Sequence, residues 1–305
     1  MRLVTFLVPD ETPVGPMTRQ RTGVVDGDVL VDLTDPSIGL PGDMTALLGL
    51  GDEAWERAAT APAASARRWG LEQVQLLAPV TLPPKILAIG MNYRAHVEEM
   101  GGSIPEHQYW FNKQRTAVTG PSSDIYVPAV STHVDYEGEL GIVIRRRAKG
   151  VTARRWLDAI AGFTVVNDVS VRDWQAHSPT FTMGKSFDTH CPLGPWIVTP
   201  DEVGDVRTLR IRTWVNGELR QDATTEDLIF GPDEMIEYLT TVFPLEPGDV
   251  LLTGTPSGVG AGSRPQRWLR SGDVVRIEVE RVGILENRVV DEPPAAPPPV
   301  PVYDG

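Results

Sequence analysis

Three acidic residues in two apolar segments could bind a metal ion. Glu137 and Glu139 lie two positions apart within residues 135–140, and Asp168 ends the run of residues 162–168. Because side chains two apart in a strand point to the same face, the two glutamates can converge on one point. Ligation by oxygen alone favours a hard divalent cation, so we expect Mg2+, with Mn2+ or Ca2+ as substitutes. Zinc is disfavoured because the chain has one cysteine and no two histidines at metal-ligand spacing.

The residues that follow Glu139 indicate that the two glutamates are buried. Residues 140–144 are apolar enough to form an interior strand, which would hold both carboxylates at the edge of a core. A buried anion costs several kcal/mol unless a cation or a proton offsets its charge. The alternative is that Glu137 and Glu139 form the solvated face of an amphipathic strand, which a Glu-x-Glu pattern alone does not exclude.

A histidine and a glutamate could form a general base. Residues 85–90 predict a buried strand, and residues 91–101 predict a short helix that two glycines end. His96 and Glu99 are three apart on that helix, so Glu99 could fix one tautomer of the imidazole and stabilise its cation. The alternative is a surface ion pair on a short helix, which contributes little to stability.

The order of the motifs along the chain carries more information than any one of them. The motifs are Asn92-Tyr93-x-x-His96-x-x-Glu99, DYEGEL at 135–140, NDVSVRDWQ at 167–175, GKSFDT at 184–189, VNGE at 215–218, LEPGDV at 245–250, TGTPSGVG at 253–260 and GDVV at 272–275. Their order resembles the fumarylacetoacetate hydrolase family, in particular its acylpyruvase and hydroxymuconate isomerase-like members, over residues 79–290.

The resemblance implies a role for each matched position. Glu137, Glu139 and Asp168 correspond to metal ligands. His96 and Glu99 correspond to a dyad that activates water. Lys185 corresponds to a catalytic lysine beside the substrate; without the resemblance it reads as an ordinary loop lysine. The positions implied to contact the substrate are Gln175, Thr255, Arg94 and Gly254.

The elements that must position these residues are mostly strands. Short apolar segments between Gly and Pro turns predict an α+β fold that is mainly β, and the resemblance supplies a mixed β-roll or β-sandwich catalytic domain. We predict a small N-terminal α+β domain at 1–78, the catalytic domain at 79–290 and an extended proline-rich tail at 291–305. The Asp-Gly at 26–27 predicts a hairpin turn, and helices are expected near 44–69, 154–160 and 232–240.

The resemblance also implies an activity. We expect a metal-dependent hydrolase that cleaves a C–C bond in a 1,3-dicarbonyl acid, such as an acylpyruvate or fumarylpyruvate, through a metal-bound enolate. An isomerase, hydratase or decarboxylase of a related 2-oxo or 2-hydroxymuconate-type acid is the first alternative. A catalytically silent protein that binds a keto acid is the second. A nucleotide site at 253–260 is disfavoured because this segment lacks the Gly-Lys-Ser/Thr end of a P-loop.

Composition bounds the partners. The net charge of −13 argues against nucleic acid, whose phosphates such a surface would repel. A single cysteine excludes an internal disulfide framework and suits a reducing compartment, and no apolar run approaches the length of a membrane span. We therefore expect a cytoplasmic enzyme with a small-molecule acid as its partner. The resemblance adds the expectation of a homodimer.

Overall fold

The computed structural model describes residues 1–12 and 15–294. Strands dominate these residues. The strands are β1 Arg2–Thr12, β2 Gly15–Asp26, β3 Val29–Asp32, β4 Arg68–Gly70, β5 Gln75–Leu76, β6 Ile86–Gly90, β7 Tyr109–Lys113, β8 Val118–Thr119, β9 Ile125–Val127, β10 Val134–Asp135, β11 Gly138–Ile144, β12 Ile160–Asn167, β13 Ser170–Val171, β14 Cys191–Val198, β15 Arg210–Val215, β16 Glu218–Thr224, β17 Val250–Leu252, β18 Val274–Val279 and β19 Gly283–Asp291.

Helices are short and lie between the strands. The α-helices are α1 Met44–Gly49, α2 Asp52–Thr60, α3 Arg94–Glu99, α4 Arg172–Gln175, α5 Pro200–Val203 and α6 Pro232–Val242. The 3-10 helices are Ala61–Ala63, Leu71–Gln73, Arg115–Ala117, Ala153–Ala159, Val206–Thr208 and Thr225–Asp227.

Two mixed sheets organise the chain. The larger runs in the order β4-β3-β2-β1-β14-β12-β11-β17-β6-β7, and β5 and β8 pair with β1 and β14. The smaller runs β16-β15-β18-β19-β9, and β10 pairs with β13. Most neighbours are antiparallel, but β17 is parallel to β6 and β19 is parallel to β9. The α+β, mainly β, fold class predicted from the sequence is confirmed.

The central strand β11 is buried on both faces. Leu140, Ile142 and Ile144 share one core with Ile277 of the smaller sheet, so this core fills the space between the two sheets. Val143 points to the opposite face and belongs to a second core with residues of α1 and α2. Burial on both sides explains why residues 140–144 form a continuous apolar run and do not alternate with polar residues.

The N-terminal strands extend the larger sheet. Strand β1 pairs with β2 on one side and with β14 on the other, where Leu3 faces Ile197. Leu3 is also buried in the core that contains Val143 and Leu252. The boundary at residue 78 stays a prediction.

Most predicted elements are confirmed, with corrections at their ends. The hairpin forms, since β2 ends at Asp26, Gly27 has φ 62° and β3 begins at Val29. The helix expected over 44–69 was predicted too long: it breaks at Gly51, where φ is 83°, and residues 68–70 are a strand. The segment near 154–160 is a 3-10 helix that ends at Ala159, whereas the third expected helix is α6.

The predicted start of the C-terminal tail, residue 291, lies one residue too early. Asp291 still pairs with Val127 as the last residue of β19, and the N–H of Glu292 donates to the Val127 carbonyl at 3.0 Å. Residues 295–305, where most of the proline-rich tail was predicted, lie outside the described residues.

Candidate active site

The pairing of β11 with β12 brings the three acidic residues together. Gly138 lies opposite Asn167 in this antiparallel pair, so Glu137 just before β11 is adjacent to Asp168 just after β12. One carboxylate oxygen from each of Glu137, Glu139 and Asp168 lies within 4.8 Å of the others, and all three side chains are buried. The predicted alternative of a solvated strand face is therefore wrong.

Backbone hydrogen bonds fix this acidic triad. The N–H of Asp168 donates to the carbonyl of Glu137 at 2.9 Å, and the N–H of Glu137 donates to Asn167 Oδ1 at 3.0 Å. The N–H of Gly254 donates to Glu139 Oε2 at 2.7 Å. Gly254 has φ +91°, and a Cβ there would lie 2.9 Å from Cβ of Asn92, so a larger residue would disturb this contact.

Two buried lysines and a partly buried arginine surround the triad. Lys185 Nζ lies 2.6 Å from Glu137 Oε2 and 2.7 Å from Asp168 Oδ2. Lys113 Nζ lies 2.6 Å from Asp168 Oδ1. Arg172 Nη2 lies 2.7 Å from Glu137 Oε1. Each of these two carboxylates is therefore held by two cations, while its oxygens keep further lone pairs for a metal ion.

Sequence reasoning missed Lys113 and Arg172 as members of the site. Arg172 also pairs with buried Asp135 at 2.8 Å and donates from Nη1 to Gln175 Oε1 at 3.0 Å. The available signals were a lysine ending a mainly aromatic strand and an arginine inside a matched motif. Neither reveals its partner, because Lys113 and Asp168 are 55 residues apart and meet only through the sheet.

The two glutamates respond differently to burial. Burial opposes ionisation of Glu137, but the charges of Lys185 and Arg172 outweigh it and lower the pKa of Glu137 to about 2. Burial raises the pKa of Glu139 well above its ordinary value, and the charges of Asp168 and Glu137 raise it further. Glu139 thus needs a proton or an added cation beside it.

The donor set fits a hard divalent cation. It consists of carboxylate oxygens, which Mg2+, Mn2+ and Ca2+ prefer. The negative charge of Glu139 in particular is not offset by its neighbours, as its raised pKa indicates, and a divalent cation would offset it. The buried acidic triad of Glu137, Glu139 and Asp168 could therefore hold a divalent metal.

Helix α3 places the histidine and glutamate side by side. His96 Nδ1 lies 3.2 Å from Glu99 Oε2, and Glu99 Oε1 accepts from the N–H of Gly258 at 2.9 Å. Both contacts hold the imidazole in one orientation and leave Nε2 for proton exchange. His96 is buried, with an exposed fraction of 6%, so the pair is not the surface ion pair considered as the alternative.

Glu137 and Glu139 of the triad and the histidine open onto one cavity of about 430 Å3. Of the residues implied to contact substrate, Gln175 and Thr255 line it. The Thr255 hydroxyl donates to the Gly138 carbonyl at 3.1 Å and accepts from Gln221 Nε2 at 2.8 Å. The lining residues include His96, Glu137, Glu139, Arg172, Gln175, Lys185 and Thr255, together with apolar side chains.

Two predicted substrate contacts lie elsewhere. Arg94 is exposed and does not line the cavity, because it is two positions from His96 on α3 and points to a different face. Gly254 contributes its N–H to Glu139 and lies behind the carboxylate. The geometry therefore makes Gly254 a support for a candidate metal ligand.

Comparison with known proteins identifies the family. Residues 85–290 match the family described as Fumarylacetoacetate (FAA) hydrolase C-terminal. The chain belongs to the fumarylacetoacetate hydrolase family. Its resemblance to this family, inferred from the motifs, is confirmed.

Relatives within the family carry different activities. The chain is 39% identical to the mitochondrial oxaloacetate tautomerase fahd2 of Xenopus laevis, over 95% of this chain and 90% of that protein. A 5-carboxymethyl-2-hydroxymuconate delta-isomerase from Mycobacterium smegmatis superimposes with a TM-score of 0.75 at 38% identity, covering 96% of this chain and 100% of that one. A maleylpyruvate hydrolase from Sphingobium sp. SYK-6, solved with manganese(II) and pyruvate, gives 0.77 at 35% identity, with 96% and 100% covered.

These findings support an enzyme and leave its reaction open. The relatives include a tautomerase, an isomerase and a hydrolase, so the predicted C–C hydrolase is not confirmed. The mitochondrial relative likewise leaves the predicted cytoplasmic location unconfirmed. No helix among the described residues is long and apolar enough to cross a membrane.

Proposed function

We propose that this protein is a divalent-metal-dependent tautomerase that interconverts the keto and enol forms of a 2-oxo acid. The observation that carries the proposal is the shared cavity: Glu137 and Glu139 of the acidic triad and the imidazole of His96 all line it. Tautomerisation needs one base to move a proton between carbon and oxygen, and a charge that stabilises the enolate. Identity of 39% to an oxaloacetate tautomerase over 95% of the chain favours this reaction within the family.

His96 is the proposed proton carrier. Its Nε2 would take a proton from the carbon next to the substrate carbonyl and return it to the enolate oxygen, so the reaction forms no other product. Glu99, 3.2 Å from Nδ1, would stabilise the imidazolium formed between the two transfers. Lys185 would add positive charge beside the substrate oxygens.

Glu137, Glu139 and Asp168 are the proposed metal ligands. A divalent cation held there would polarise the substrate carbonyl and offset the negative charge of the enolate. Mg2+ is the proposed ion, with Mn2+ or Ca2+ as substitutes, because the donors are all carboxylate oxygens. A homodimer and a cytoplasmic location remain proposals that rest on the family resemblance and on the composition.

Hydrolytic C–C cleavage is the second candidate, favoured by the similarity to a maleylpyruvate hydrolase. In this reaction His96 would take a proton from water, and the hydroxide would add to the acyl carbonyl of a 1,3-dicarbonyl acid. The C–C bond would break, its electron pair would form the enolate of pyruvate, and that enolate would recover the proton. The dyad of His96 and Glu99 serves both reactions, so the substrate decides between them.

The test is an assay of the purified chain with Mg2+ or with chelator. Oxaloacetate reports tautomerisation and acetylpyruvate reports cleavage, each corrected for its uncatalysed rate. His96→Gln should reduce turnover by about 100-fold or more, because general base catalysis contributes on this scale. Glu99→Gln should reduce it less and should leave Mg2+ affinity, measured by calorimetry, unchanged.

The outcomes separate the candidates. Cleavage of acetylpyruvate without tautomerisation of any 2-oxo acid would reverse the ranking. Turnover that survives both chelation and His96→Gln would refute the site. Tight binding of these acids without turnover would instead favour the silent keto-acid-binding protein.

A further inference from the structure

The cavity has a charged inner end and an apolar outer wall. The inner end is formed by Glu137 and Glu139 of the acidic triad, Lys185 and His96. The outer wall is formed by Ile89, Met91, Met100, Phe111, Phe181 and Trp268. A substrate with its reacting carbonyl at the inner end would therefore extend its other end along apolar side chains.

A series of aromatic ring contacts leads from Lys185, beside this wall, to the surface. The ring of Phe111 lies 5.0 Å from Lys185 Nζ. Phe181 lies 5.8 Å from Phe111, and Tyr109 lies 5.4 Å from Phe181, measured between ring centroids. The exposed Tyr109 is fixed in place, since its hydroxyl donates to the Pro179 carbonyl. Phe111 and Phe181 line the cavity, whereas Tyr109 packs against Phe181. We call Phe111 and Phe181 the aromatic wall.

Two residues of the outer wall have a backbone conformation that residues other than glycine rarely adopt. Met91 has φ 56° and Phe181 has φ 60°, both in the left-handed region. Strain of this kind persists where the surrounding structure compensates for it, and it concentrates at functional sites. The carbonyl of Phe181 also accepts from the N–H of Lys185 at 3.2 Å, so one turn positions both the wall and the lysine.

The charged groups at the inner end leave no positive charge to balance a second substrate carboxylate. The cluster around the inner end contains the carboxylates of Glu137, Glu139, Asp168 and Asp135 and the cations Lys113, Lys185 and Arg172, which gives a formal charge of −1. A divalent cation would bring this to +1, which one substrate carboxylate would balance. Glu99 adds another negative charge unless His96 is protonated.

Three neutral polar side chains on the cavity already have hydrogen-bond partners within the protein. Gln175 accepts from Arg172, Thr255 bonds Gly138 and Gln221, and Gln266 Nε2 donates to the Ala261 carbonyl at 3.3 Å. A second carboxylate against the aromatic wall would lose its hydration without gaining a cation, which is costly. An apolar substituent there would gain from burial.

The geometry points to a substrate with one carboxylate and an apolar tail, with Met100 and the aromatic wall selecting that tail. This inference rests on the proposed function, since it places the reacting 2-oxo acid at the triad. It identifies the class as aryl- or alkyl-substituted 2-oxo acids, such as arylpyruvates and acylpyruvates with hydrocarbon acyl groups. Dicarboxylates such as oxaloacetate are the disfavoured class.

The test compares matched acids that differ in the second charge. Phenylpyruvate and oxaloacetate form the tautomerisation pair; 2,4-dioxohexanoate and fumarylpyruvate form the cleavage pair. With Mg2+, kcat/KM should be at least tenfold higher for the monocarboxylate of whichever pair is turned over. A preference for the dicarboxylate would overturn the inference and leave the proposed function intact.

A variant tests whether the wall causes the preference. Met100 is 43% exposed at the end of α3, so Met100→Lys adds a cation to the cavity at a position that tolerates change. It should shift the kcat/KM ratio toward the dicarboxylate by at least fivefold. Leu157→Lys, on the exposed side of the 3-10 helix Ala153–Ala159, adds the same charge away from the cavity and should not shift the ratio. An equal ratio in wild type and Met100→Lys would contradict the assignment of Met100.

A binding measurement covers the case in which no acid is turned over. That result would refute the proposed function, whereas calorimetric titration of the Mg2+-loaded chain with the same four acids would still measure the preference. Tighter binding of phenylpyruvate and 2,4-dioxohexanoate than of their dicarboxylate counterparts would support the inference. Tighter binding of the dicarboxylates would overturn it.

Discussion

Glu139 differs from Glu137 and Asp168 in what offsets its charge. The other two carboxylates each contact two cations, whereas Glu139 accepts a hydrogen bond from the Gly254 N–H. Its raised pKa follows from burial and from the two neighbouring anions. The same residue that favours divalent cation binding is therefore a source of instability without it.

Glu139→Gln should move metal affinity and stability in opposite directions. The amide keeps the shape and can still accept from Gly254, but it removes one anionic donor from the triad. Affinity for Mg2+ should fall at least tenfold, about 1.4 kcal/mol, by calorimetry. Without metal, the free energy of unfolding in urea should stay equal or rise by about 1 kcal/mol, because a buried like-charge repulsion is gone. Glu98→Gln, at an exposed position next to Glu99, is the control. A decrease of more than about 2 kcal/mol in the metal-free free energy of unfolding of Glu139→Gln would contradict this account.

Replacing Lys113 should affect the metal-free stability in the opposite direction from replacing Glu139. Its ammonium is fully buried and contacts Asp168 Oδ1 and the Val169 carbonyl. Lys113→Met would leave Asp168 with less compensation, which predicts a loss of about 3–5 kcal/mol in the free energy of unfolding without metal. Because a divalent cation would restore part of the missing charge, Mg2+ should raise the melting temperature more in this variant than in wild type. Lys149→Met, at an exposed position, should show neither effect.

The sequence predicted the residues of the site better than their surroundings. The triad was predictable because Glu137 and Glu139 are two apart and Asp168 ends an apolar run that pairs with theirs. Lys113 was not, because its partner lies across β6, β17 and β11 in the sheet, and local spacing carries no information about that distance. Arg94 could have been set aside, since positions 94 and 96 of a helix do not share a face.

At the scale of elements, positions were predictable and boundaries were not. The strand at 86–90 and the helix of His96 follow from apolar periodicity and from the glycines that end them. The helix predicted over 44–69 failed because its apolar residues continue past Gly51 and Pro62, where the backbone turns. Residues 68–70 form a strand because β3 offers an edge to pair with, which is a tertiary effect.

The turn before β14 contains a histidine that should make the fold sensitive to acid. His190 is fully buried and donates from Nε2 to the Tyr126 carbonyl at 2.8 Å. Burial lowers the pKa of His190 to about 3, and the charge of Lys113 contributes. In the unfolded chain the pKa of a histidine is about 6.5, so between these values the unfolded state binds more protons. The contribution of His190 to the free energy of unfolding is therefore fully present above pH 6.5, and it is lost as the pH drops toward 3.

His190→Gln should reduce this acid sensitivity. The amide can still donate to the Tyr126 carbonyl but does not titrate. Urea unfolding at pH 7 and pH 4.5 should show that wild type loses more stability than the variant, by up to about 1.4 kcal/mol per pH unit below 6.5. His107→Gln, at an exposed position, should behave like wild type. An identical pH dependence in His190→Gln and wild type would contradict the assignment.

At the scale of the whole molecule, one sheet joins the N-terminal strands to the site. Strand β1 is hydrogen-bonded to β14, which pairs with β12, and β12 ends at Asn167, next to Asp168 of the acidic triad. The family match begins only at residue 85, so the contribution of the first strands could not be predicted from the motifs. Their pairing depends on long-range contacts that no local pattern reveals.

Because this sheet and one core are shared, the two predicted segments should unfold together. Leu3 is fully buried between them, so Leu3→Ala should cost about 2–5 kcal/mol. Hydrogen exchange measured by mass spectrometry should then be faster in peptides from residues 20–60 and from residues 138–167. The free energy of opening should fall by the same amount in both segments. Ile284→Ala, on a 39% exposed side chain of β19, should cost under about 1 kcal/mol. Faster exchange confined to residues 20–60 would mean that the N-terminal segment opens alone, and the acidic triad would then keep its geometry without it.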